Sequence, residues 1–518
     1  MQAERQEKIL ERYMILGAPK VEVEILEDAE GRRYYNVIEP KLNTEVRRSA
    51  YQELMELVSN DLYLLDRINA SSSVEKAYQL LLPIAESIVR DKVKGGLLKK
   101  KPKDLESKIH EAAQAVAYEA AKELVGYGVI EPLIRDPYIE DISCNGIGIP
   151  IFVYHTKYEW LTTNLVIADQ RYLESLVSKL GVRSGKEPSV ATPIVEGVLK
   201  PEGYRVNIVL GTVSRNGPQF TIRKFRSEPF TMIELLRKRA LDPQVAALLW
   251  MAVEAKQGII IYGPTGSGKT TLLNAVTMFV PTEFKIVTAE DTPEIYLPFH
   301  ENWGAMVTRL STDERVQNVT LQAQVEAALR QRPDIIIIGE IRSREAFAFF
   351  QALSTGHGGL TTVHAESADV LIKRLKSPPM NVPASLIATA RLFVNILRVE
   401  RGLTVERKVV RVHESVRYNP DLDDVDLQEI MVWDPATDSW KILTRNLATL
   451  RVIADLRLIS YEEALEDLKR RATVLHWLTN IGADIATLHS VVRQYRRDPE
   501  SVYQRALAEV KEYELRFA

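Results

Sequence analysis

The segment 259–279 constrains the fold of this 518-residue chain more than any other part of it. Four apolar residues, Ile259–Tyr262, precede the loop Gly263–Thr270, and the helical pattern Thr271–Phe279 follows. A strand, a loop of the form G-x-x-x-x-G-K-[ST] and a helix make a complete Walker A motif. Its glycines let successive backbone N–H groups face one anion at a helix N-terminus. The segment therefore predicts a phosphate-binding loop, or P-loop.

This loop implies ATP and Mg²⁺ as cofactors. Lys269 would bring a full positive charge to the β and γ phosphates, and the Thr270 hydroxyl is placed as a magnesium ligand. The candidate nucleotide-binding residues are Gly263, Pro264, Thr265, Gly266, Ser267, Gly268, Lys269, Thr270 and Thr271.

A P-loop alone also fits GTP switches, small-molecule kinases, recombinases and DNA-translocating motors. A GTP switch would need an Asn-Lys-x-Asp segment, which the sequence lacks, and a small-molecule kinase rarely needs such long flanking regions. A DNA motor remains the better rival. However, 67 basic against 70 acidic residues give a net charge of −3, which does not favour nucleic-acid binding.

A second candidate follows the apolar run Ile335–Ile338, which predicts a central parallel strand. Ligands bind at the carboxyl ends of such strands, so Glu340 would face the phosphates. There it could hold a magnesium-bound water or orient the attacking water. Gly339 stands where an Asp is more usual, so magnesium must depend on Thr270, Glu340 and water.

Three further groups have roles that the residues alone leave open. Glu290, with Asp291 and Glu294, follows the predicted strand Ile286–Ala289 and could polarise water, but acidic residues after strands are often helix caps. His357 and His364 bracket another apolar run, and isolated histidines are more often packing residues than catalysts.

The pattern of elements predicts a multi-domain α/β protein. Short apolar runs alternate with helical patterns over residues 231–414, which indicates a mainly parallel sheet with helices on both faces. We expect an N-terminal α/β segment for docking at 1–98, an α+β domain at 104–225 and a mostly helical domain at 415–518. Capping boxes at Thr231–Glu234 and Ser460–Glu463 predict two helix starts, and the basic run 99–103 predicts a linker.

Cysteine content and hydropathy predict a cytoplasmic protein. Cys144 is the single cysteine, which excludes an intrachain disulfide and a zinc site built from several thiolates. The longest apolar stretches are too short or contain arginine, whereas a bilayer-spanning helix needs about 20 apolar residues. The N-terminus lacks the apolar core of a secretory signal.

Taken together, these motifs resemble the secretion and type IV pilus assembly ATPases, the GspE and PilB superfamily, and specifically their archaeal branch. The resemblance rests on the Walker A loop, the acidic box Glu290–Glu294, the atypical Walker B segment Ile335–Arg342 and the histidine box Gly356–Ala365. Upstream, Asp136–Ser143 and Phe220–Phe225 look like that branch's N-terminal domain.

The resemblance implies a homohexamer in which an N-terminal clamp domain and a RecA-like domain hold ATP. It implies that Glu290 and Glu340 are the catalytic carboxylates and that His357 and His364 report on or contact the phosphate. It also implies that Arg205 and Arg223 reach the γ-phosphate from the N-terminal domain. The expected function is a motor for pilus-like filament assembly or type II-like secretion; the archaellum motor (FlaI) and a DNA-translocating motor are alternatives. The expected partner is a polytopic membrane platform protein at the cytoplasmic face, with no nucleic acid and no structural zinc.

Overall fold

A computed structural model describes residues 8–71, 73–93, 102–224, 229–309, 315, 317–401, 404–444 and 446–511. The chain divides into two compact units, Met1–Arg226 and Ser227–Ala518. Among the described residues, each unit contains one nine-stranded sheet. Most of the predicted linker 99–103 lies outside the described residues.

The first unit has its strands in the order β1-β2-β3-β6-β5-β4-β9-β8-β7, and only the β3–β6 pair is parallel among the described pairings. The strands are β1 (Lys8–Leu16), β2 (Val21–Glu27), β3 (Arg33–Ile38), β4 (Ile139–Cys144), β5 (Pro150–His155), β6 (Glu159–Val166), β7 (Ile194–Leu199), β8 (Tyr204–Val209) and β9 (Gln219–Arg223). The helices are α1 (Glu45–Asn60), α2 (Leu62–Asn69), α3 (Val74–Lys92), α4 (Pro102–Leu124), α5 (Glu131–Arg135) and α6 (Gln170–Ser184).

The described residues of the segment 1–98 belong to the same sheet and core as those of 104–225, from which the sequence analysis separates them. Strand β3 pairs with β6 through Tyr34 and Tyr35, and α3 packs along α4. Alternating residues of β2, Val21, Val23 and Ile25, are fully buried in this shared core. Strands β2 and β3 therefore extend the sheet of the first unit and do not form a domain of their own.

The second unit has the strand order β12-β11-β13-β14-β10-β15-β16-β17-β18. The strands are β10 (Gly258–Gly263), β11 (Ile286–Glu290), β12 (Trp303–Val307), β13 (Ile335–Ile341), β14 (Gly358–His364), β15 (Ala390–Arg401), β16 (Thr404–Asn419), β17 (Asp424–Asp434) and β18 (Ser439–Ile442). The helices are α7 (Met232–Arg237), α8 (Pro243–Glu254), α9 (Lys269–Thr277), α10 (Leu321–Leu329), α11 (Glu345–Ser354), α12 (Ala368–Lys376), α13 (Ala384–Ile387), α14 (Ala448–Arg457), α15 (Tyr461–Ile481), α16 (Ile485–Arg497) and α17 (Pro499–Leu507).

Helices cover both faces of the parallel part of this sheet, which runs from β12 to β15. Ile259 and Ile261 of β10 belong to the core that contains Trp250 of α8. Ile260 and Tyr262 face the opposite core, which contains Phe349 of α11. Successive side chains of a strand point to opposite faces, so β10 contributes to both cores. The predicted multi-domain α/β fold class, with its RecA-like P-loop unit, is confirmed.

The region 415–518 differs from the prediction at its start. Strand β16 runs without interruption across the predicted boundary at residue 414, and β17 and β18 extend the sheet before the helices begin at Ala448. Both predicted capping boxes, at Thr231–Glu234 and Ser460–Glu463, are confirmed. Buried Glu414 of β16 accepts hydrogen bonds from the backbone N–H groups of Ala448 and Thr449, so a strand residue caps helix α14.

No helix among the described residues is both long enough and apolar enough to cross a membrane.

Candidate nucleotide-binding site

The candidate site lies at the carboxyl ends of four neighbouring parallel strands, β11, β13, β14 and β10. Their ends carry Glu290, Glu340, His364 and the P-loop, respectively. Parallel strands place all their carboxyl ends at one edge of the sheet, so residues far apart in sequence meet there. Four of the predicted groups are brought together in this way.

The P-loop needs glycine at position 263 because other atoms of the protein leave no room for a Cβ there. A Cβ at this position would lie 2.1 Å from the carbonyl oxygen of Ile396 in β15 and 2.6 Å from Oγ of Ser267. At the other end of the loop, Gly268 has φ of +94°, a left-handed conformation that side chains disfavour, and helix α9 starts at the next residue. The loop therefore turns tightly between β10 and α9.

The Lys269 ammonium lies on the inner side of the loop. Its Nζ donates hydrogen bonds to the carbonyl oxygens of Gly263, at 3.1 Å, and Pro264, at 3.0 Å. Burial lowers its pKa, and the negative charge of Glu340 opposes that shift. The Ser267 hydroxyl is also buried and has no hydrogen-bond partner among the described residues. A buried cation and an unsatisfied buried hydroxyl in one loop fit a phosphate group.

Thr270 is the second residue of α9, beside the loop. Asn274, one turn later, donates to the carbonyl oxygens of Thr270 and Glu294, which ties this helix to the acidic box. Among the described residues, no group of three or more His, Cys, Asp or Glu is placed to hold a metal. Thr270 and Glu340 nevertheless fit Mg²⁺, which binds hard oxygen ligands and keeps several waters and phosphate oxygens.

Glu340 is half-buried near the end of β13 and carries an ion pair that the sequence analysis does not anticipate. Nη2 of Arg342 lies 2.6 Å from Oε2 of Glu340. Arg342 follows directly after β13, which ends at Ile341, so the ion pair joins the end of the strand to the segment after it. The hydrogen bond to the Glu340 carboxylate raises the pKa of Arg342. The positive charge of Arg342 is thereby held at the carboxyl end of β13.

Glu290 ends β11 and is buried, with 3% of its surface exposed. Its Oε1 accepts hydrogen bonds from the backbone N–H groups of Glu294, at 2.8 Å, and Ile295, at 2.9 Å. Burial raises its pKa to about 7, and the charge of Glu294 adds to the shift while the two backbone donors oppose it. A carboxyl group with this pKa exchanges a proton near neutral pH, as a general base requires.

The two histidines lie at opposite ends of β14. Nδ1 of His364 is 3.3 Å from Oγ1 of Thr265 in the P-loop, and its backbone carbonyl accepts a hydrogen bond from Arg374. His357 instead precedes the strand, where its Nδ1 is 3.1 Å from Oγ1 of Thr355. His364 is the last residue of β14, seven positions after His357, so at about 3.3 Å per residue the two lie about 23 Å apart. His357 therefore lies away from the P-loop of this chain, and its expected role, to report on or contact the phosphate, stays a prediction.

Arg205 and Arg223 belong to the first unit, where they face each other across β8 and β9. Arg223 Nε lies 2.9 Å from Oδ1 of Asp141 on β4. Like charges directly opposite each other normally destabilise a sheet. The ion pair with Asp141 partly offsets the repulsion between the two arginines. Their expected contact with phosphate stays a prediction.

Comparison with known proteins identifies the family. A family model described as type II/IV secretion system protein matches residues 196–425. The uncharacterized protein MJ0900 of Methanocaldococcus jannaschii is 35% identical over 463 residues, which cover 88% of this chain and 83% of the relative. This chain belongs to the type II/IV secretion system protein family.

Other members and structures are similar over shorter stretches or at lower identity. The type IV secretion system protein PtlH of Bordetella pertussis is 36% identical over 244 residues, 41% of this chain and 72% of PtlH. The structure of the Legionella pneumophila ATPase DotB is 19% identical, with a TM-score of 0.41, and covers 74% of this chain and 95% of DotB. The resemblance to secretion and pilus assembly ATPases is confirmed at the level of the family; the archaeal branch stays a prediction.

Two arginines at this secretion-family site escaped the sequence analysis. Arg342 is included in the Walker B segment without a role, and its position two residues after Glu340 could have indicated the ion pair. Arg407 could not have been found in this way. It donates from β16 to the carbonyl oxygen of Gly266, a residue 141 positions earlier in the chain.

Proposed function

We propose that the chain is a Mg²⁺-dependent ATPase that works as a homohexameric motor for the assembly of a type IV pilus-like filament or for type II-like secretion. The observation that carries the proposal is the meeting of the P-loop, Glu340 and Glu290 at one sheet edge. Membership of the type II/IV secretion system protein family supports the same class of function.

Binding would depend on the loop between β10 and α9. When bound, ATP supplies the γ-phosphoryl group that is transferred to water, and Mg²⁺ neutralises charge on the phosphates. Lys269 already points to the inner side of the loop, where it would exchange its two carbonyl contacts for phosphate oxygens. The Thr270 hydroxyl would hold the metal, and the N-terminus of α9 would favour the negative charge.

The two carboxylates would divide the chemistry of hydrolysis. Glu290 accepts a proton from the attacking water, because its pKa of about 7 leaves it partly ionised at neutral pH. The negative charge of Glu340 acts on Lys269, and its carboxylate accepts a hydrogen bond from Arg342. Glu340 would therefore hold a magnesium-bound water or position the nucleophile. His364, beside Thr265, would contact the phosphate region.

Hexamer formation, attachment to a membrane platform protein at the cytoplasmic face and the choice of filament are supported by the family alone. The archaellum motor and a DNA-translocating motor are the alternatives from the sequence. The choice among them depends on what stimulates hydrolysis.

The test measures ATP hydrolysis by the purified chain alone, with membranes and with DNA, together with its native mass in a non-hydrolysable ATP analogue. We expect Mg²⁺-dependent hydrolysis, stimulation by membranes that contain the platform protein, and a hexamer. Lys269→Ala serves as the inactive control, because it removes the positive charge that faces the β and γ phosphates. Hydrolysis at the wild-type rate by this variant would refute the site, and stimulation by DNA instead of membranes would favour the rival motor.

A further inference from the structure

Strands β15 and β16 form an antiparallel pair that lies against the P-loop. Strand β15 pairs with β10, which leads into the loop, and the register places Arg407 opposite Arg398. Ile396 of β15 blocks any Cβ on Gly263, and the Cδ of Arg407 lies 3.2 Å from the position of a Cβ on Gly268. Both ends of the loop are therefore in contact with this strand pair.

The Arg407 side chain also bonds the centre of the loop. Its Nε donates to the carbonyl oxygen of Gly266 at 3.2 Å. Gly266 has φ of +74°, and glycine samples many other conformations at low cost, so the loop needs outside contacts to keep this one. The bond from Arg407 is such a contact.

This bond fixes the direction of a neighbouring donor. In a planar trans peptide the C=O of Gly266 and the N–H of Ser267 point to opposite sides. With the carbonyl turned towards Arg407, the Ser267 N–H points to the inner side, where it donates to the carbonyl oxygen of Pro264. The Lys269 ammonium donates to the same oxygen. The two donors therefore converge on the side where the phosphates would bind.

We propose that Arg407 is a positioning residue of the P-loop, which holds the Gly266–Ser267 peptide in the orientation that binds the phosphates of a nucleoside di- or triphosphate. This inference rests on the proposed ATPase function and goes beyond it, since it assigns a nucleotide-binding role to a strand outside the Walker motifs. Preorganised donors bind more tightly because less freedom is lost on binding.

Two variants of nearly equal length separate the hydrogen bond from the charge and from packing. In Arg407→Gln, the side-chain nitrogen occupies the fourth position from Cα, as arginine Nε does, so the donor is kept while the charge is lost. Arg407→Met keeps the stem but has no donor. Arg417→Met on the same strand is the control, because Arg417 is exposed and pairs with Asp426.

The measurement is isothermal titration of the full chain with Mg-ADP and, separately, with inorganic pyrophosphate, after thermal melting has shown that each variant is folded. We expect Arg407→Met to raise the Kd of both probes about tenfold, as fits one hydrogen bond from a charged donor. Arg407→Gln should remain within about threefold of the wild type. In steady-state hydrolysis, Arg407→Met should raise KM and leave kcat within about twofold.

The outcomes separate this inference from the proposed function. If the wild type binds neither probe, both fail. If it binds both and Arg407→Met binds equally well, only the role of Arg407 is refuted. If Arg407→Gln is as weak as Arg407→Met, charge and not positioning accounts for the effect, and the inference is wrong.

Discussion

Glu290 packs against Gly339 across two neighbouring strands. Its Cγ lies 3.6 Å, and its Oε1 3.7 Å, from the position that a Cβ would take on Gly339. Position 339 is where an Asp more usually precedes the Walker B glutamate. The carboxyl group of the acidic box thus borders the space that such an Asp would enter.

This contact predicts that Gly339→Asp impairs the enzyme. The added carboxylate would lie beside Glu290, and like charges in contact keep one of the pair protonated. We expect kcat to fall by more than about tenfold while Mg-ADP binding is retained. Gly339→Ala is the matched control, since its Cβ would make only ordinary van der Waals contacts and should leave the rate within about twofold. A fully active Gly339→Asp would show that an Asp can serve magnesium here as it does in other P-loop proteins.

The second prediction concerns pH. Because burial raises the pKa of Glu290 to about 7, the base is protonated below that pH and becomes active as the pH rises through it. We expect kcat to increase about tenfold from one unit below this pKa to one unit above it, and then to level off. Glu290→Gln should lose most activity and show no such rise.

A neighbouring charge offers a sharper control for the same prediction. The carboxylate of Glu294 raises the pKa of Glu290, whereas the backbone N–H of that residue lowers it. Glu294→Gln removes only the first influence, so the midpoint of the pH–rate curve should move to lower pH. A midpoint that does not move would show that another group controls the profile.

The third prediction separates binding from hydrolysis at Glu340. The amide in Glu340→Gln keeps the shape of the side chain but loses the charge that pairs with Arg342 and would face the metal. We expect Mg-ATP to bind with a Kd within about threefold of the wild type and hydrolysis to fall by about 10²-fold or more. A variant that no longer binds nucleotide would indicate a structural role for Glu340.

The fourth prediction tests a buried charge cluster in the second unit. Arg471, 3% exposed, lies 2.8 Å from Glu254 and 3.1 Å from Asp467, with its guanidinium over the ring of Trp250. Removal of one member of a buried ion pair leaves uncompensated charge and costs about 3–5 kcal/mol. Arg457 also pairs with both carboxylates and would still partly neutralise them. We therefore expect Arg471→Met to lower the free energy of unfolding by about 3 kcal/mol, the lower end of this range.

Denaturant unfolding measures this loss of stability. The adjacent Arg470 bonds Glu466 and Glu500 closer to solvent. Arg470→Met should therefore cost less than about 1 kcal/mol. Equal losses for the two variants would mean that the buried cluster has no special role in holding helix α15 to α8.

The sequence predicts those parts of the site that depend on local order along the chain. A strand, a glycine loop and a helix are contiguous in sequence, and the apolar runs before Glu290 and Glu340 identify strands whose carboxyl ends share one edge. Both carboxylates and the P-loop are found at that edge.

The sequence does not predict features that depend on strand pairing between distant segments or on the length of a strand. Arg407 reaches the P-loop only because β16 pairs with β15, and no local pattern indicates that register. His357 and His364 belong to one sequence box, yet they lie at opposite ends of strand β14. The N-terminal strands join the sheet of the first unit through two residue pairs of β3 and β6, which hydrophobic periodicity cannot specify.

The last prediction concerns the arginine pair of the first unit. Arg205 and Arg223 face each other across two strands, and Arg223 also bonds Asp141. A bound anion would offset the repulsion between the two guanidinium groups. We predict that both stabilise negative charge on the transferring phosphate, an effect worth about 10³–10⁵ in rate for arginine fingers. Arg223→Ala should therefore reduce kcat strongly, whereas Arg215→Ala, an exposed arginine in the same unit, should not.

Mixed assemblies determine which P-loop these arginines serve. Only residues 224–230 separate β9 from the N-cap of α7 in sequence, so we expect each arginine pair to act on the nucleotide of its own chain. Arg223→Ala subunits mixed with Lys269→Ala subunits should then hydrolyse no more ATP than either variant alone, because every chain lacks one essential group. A hydrolysis rate above both parents would require an intact arginine on one chain to serve an intact P-loop on another, and would refute action within one chain.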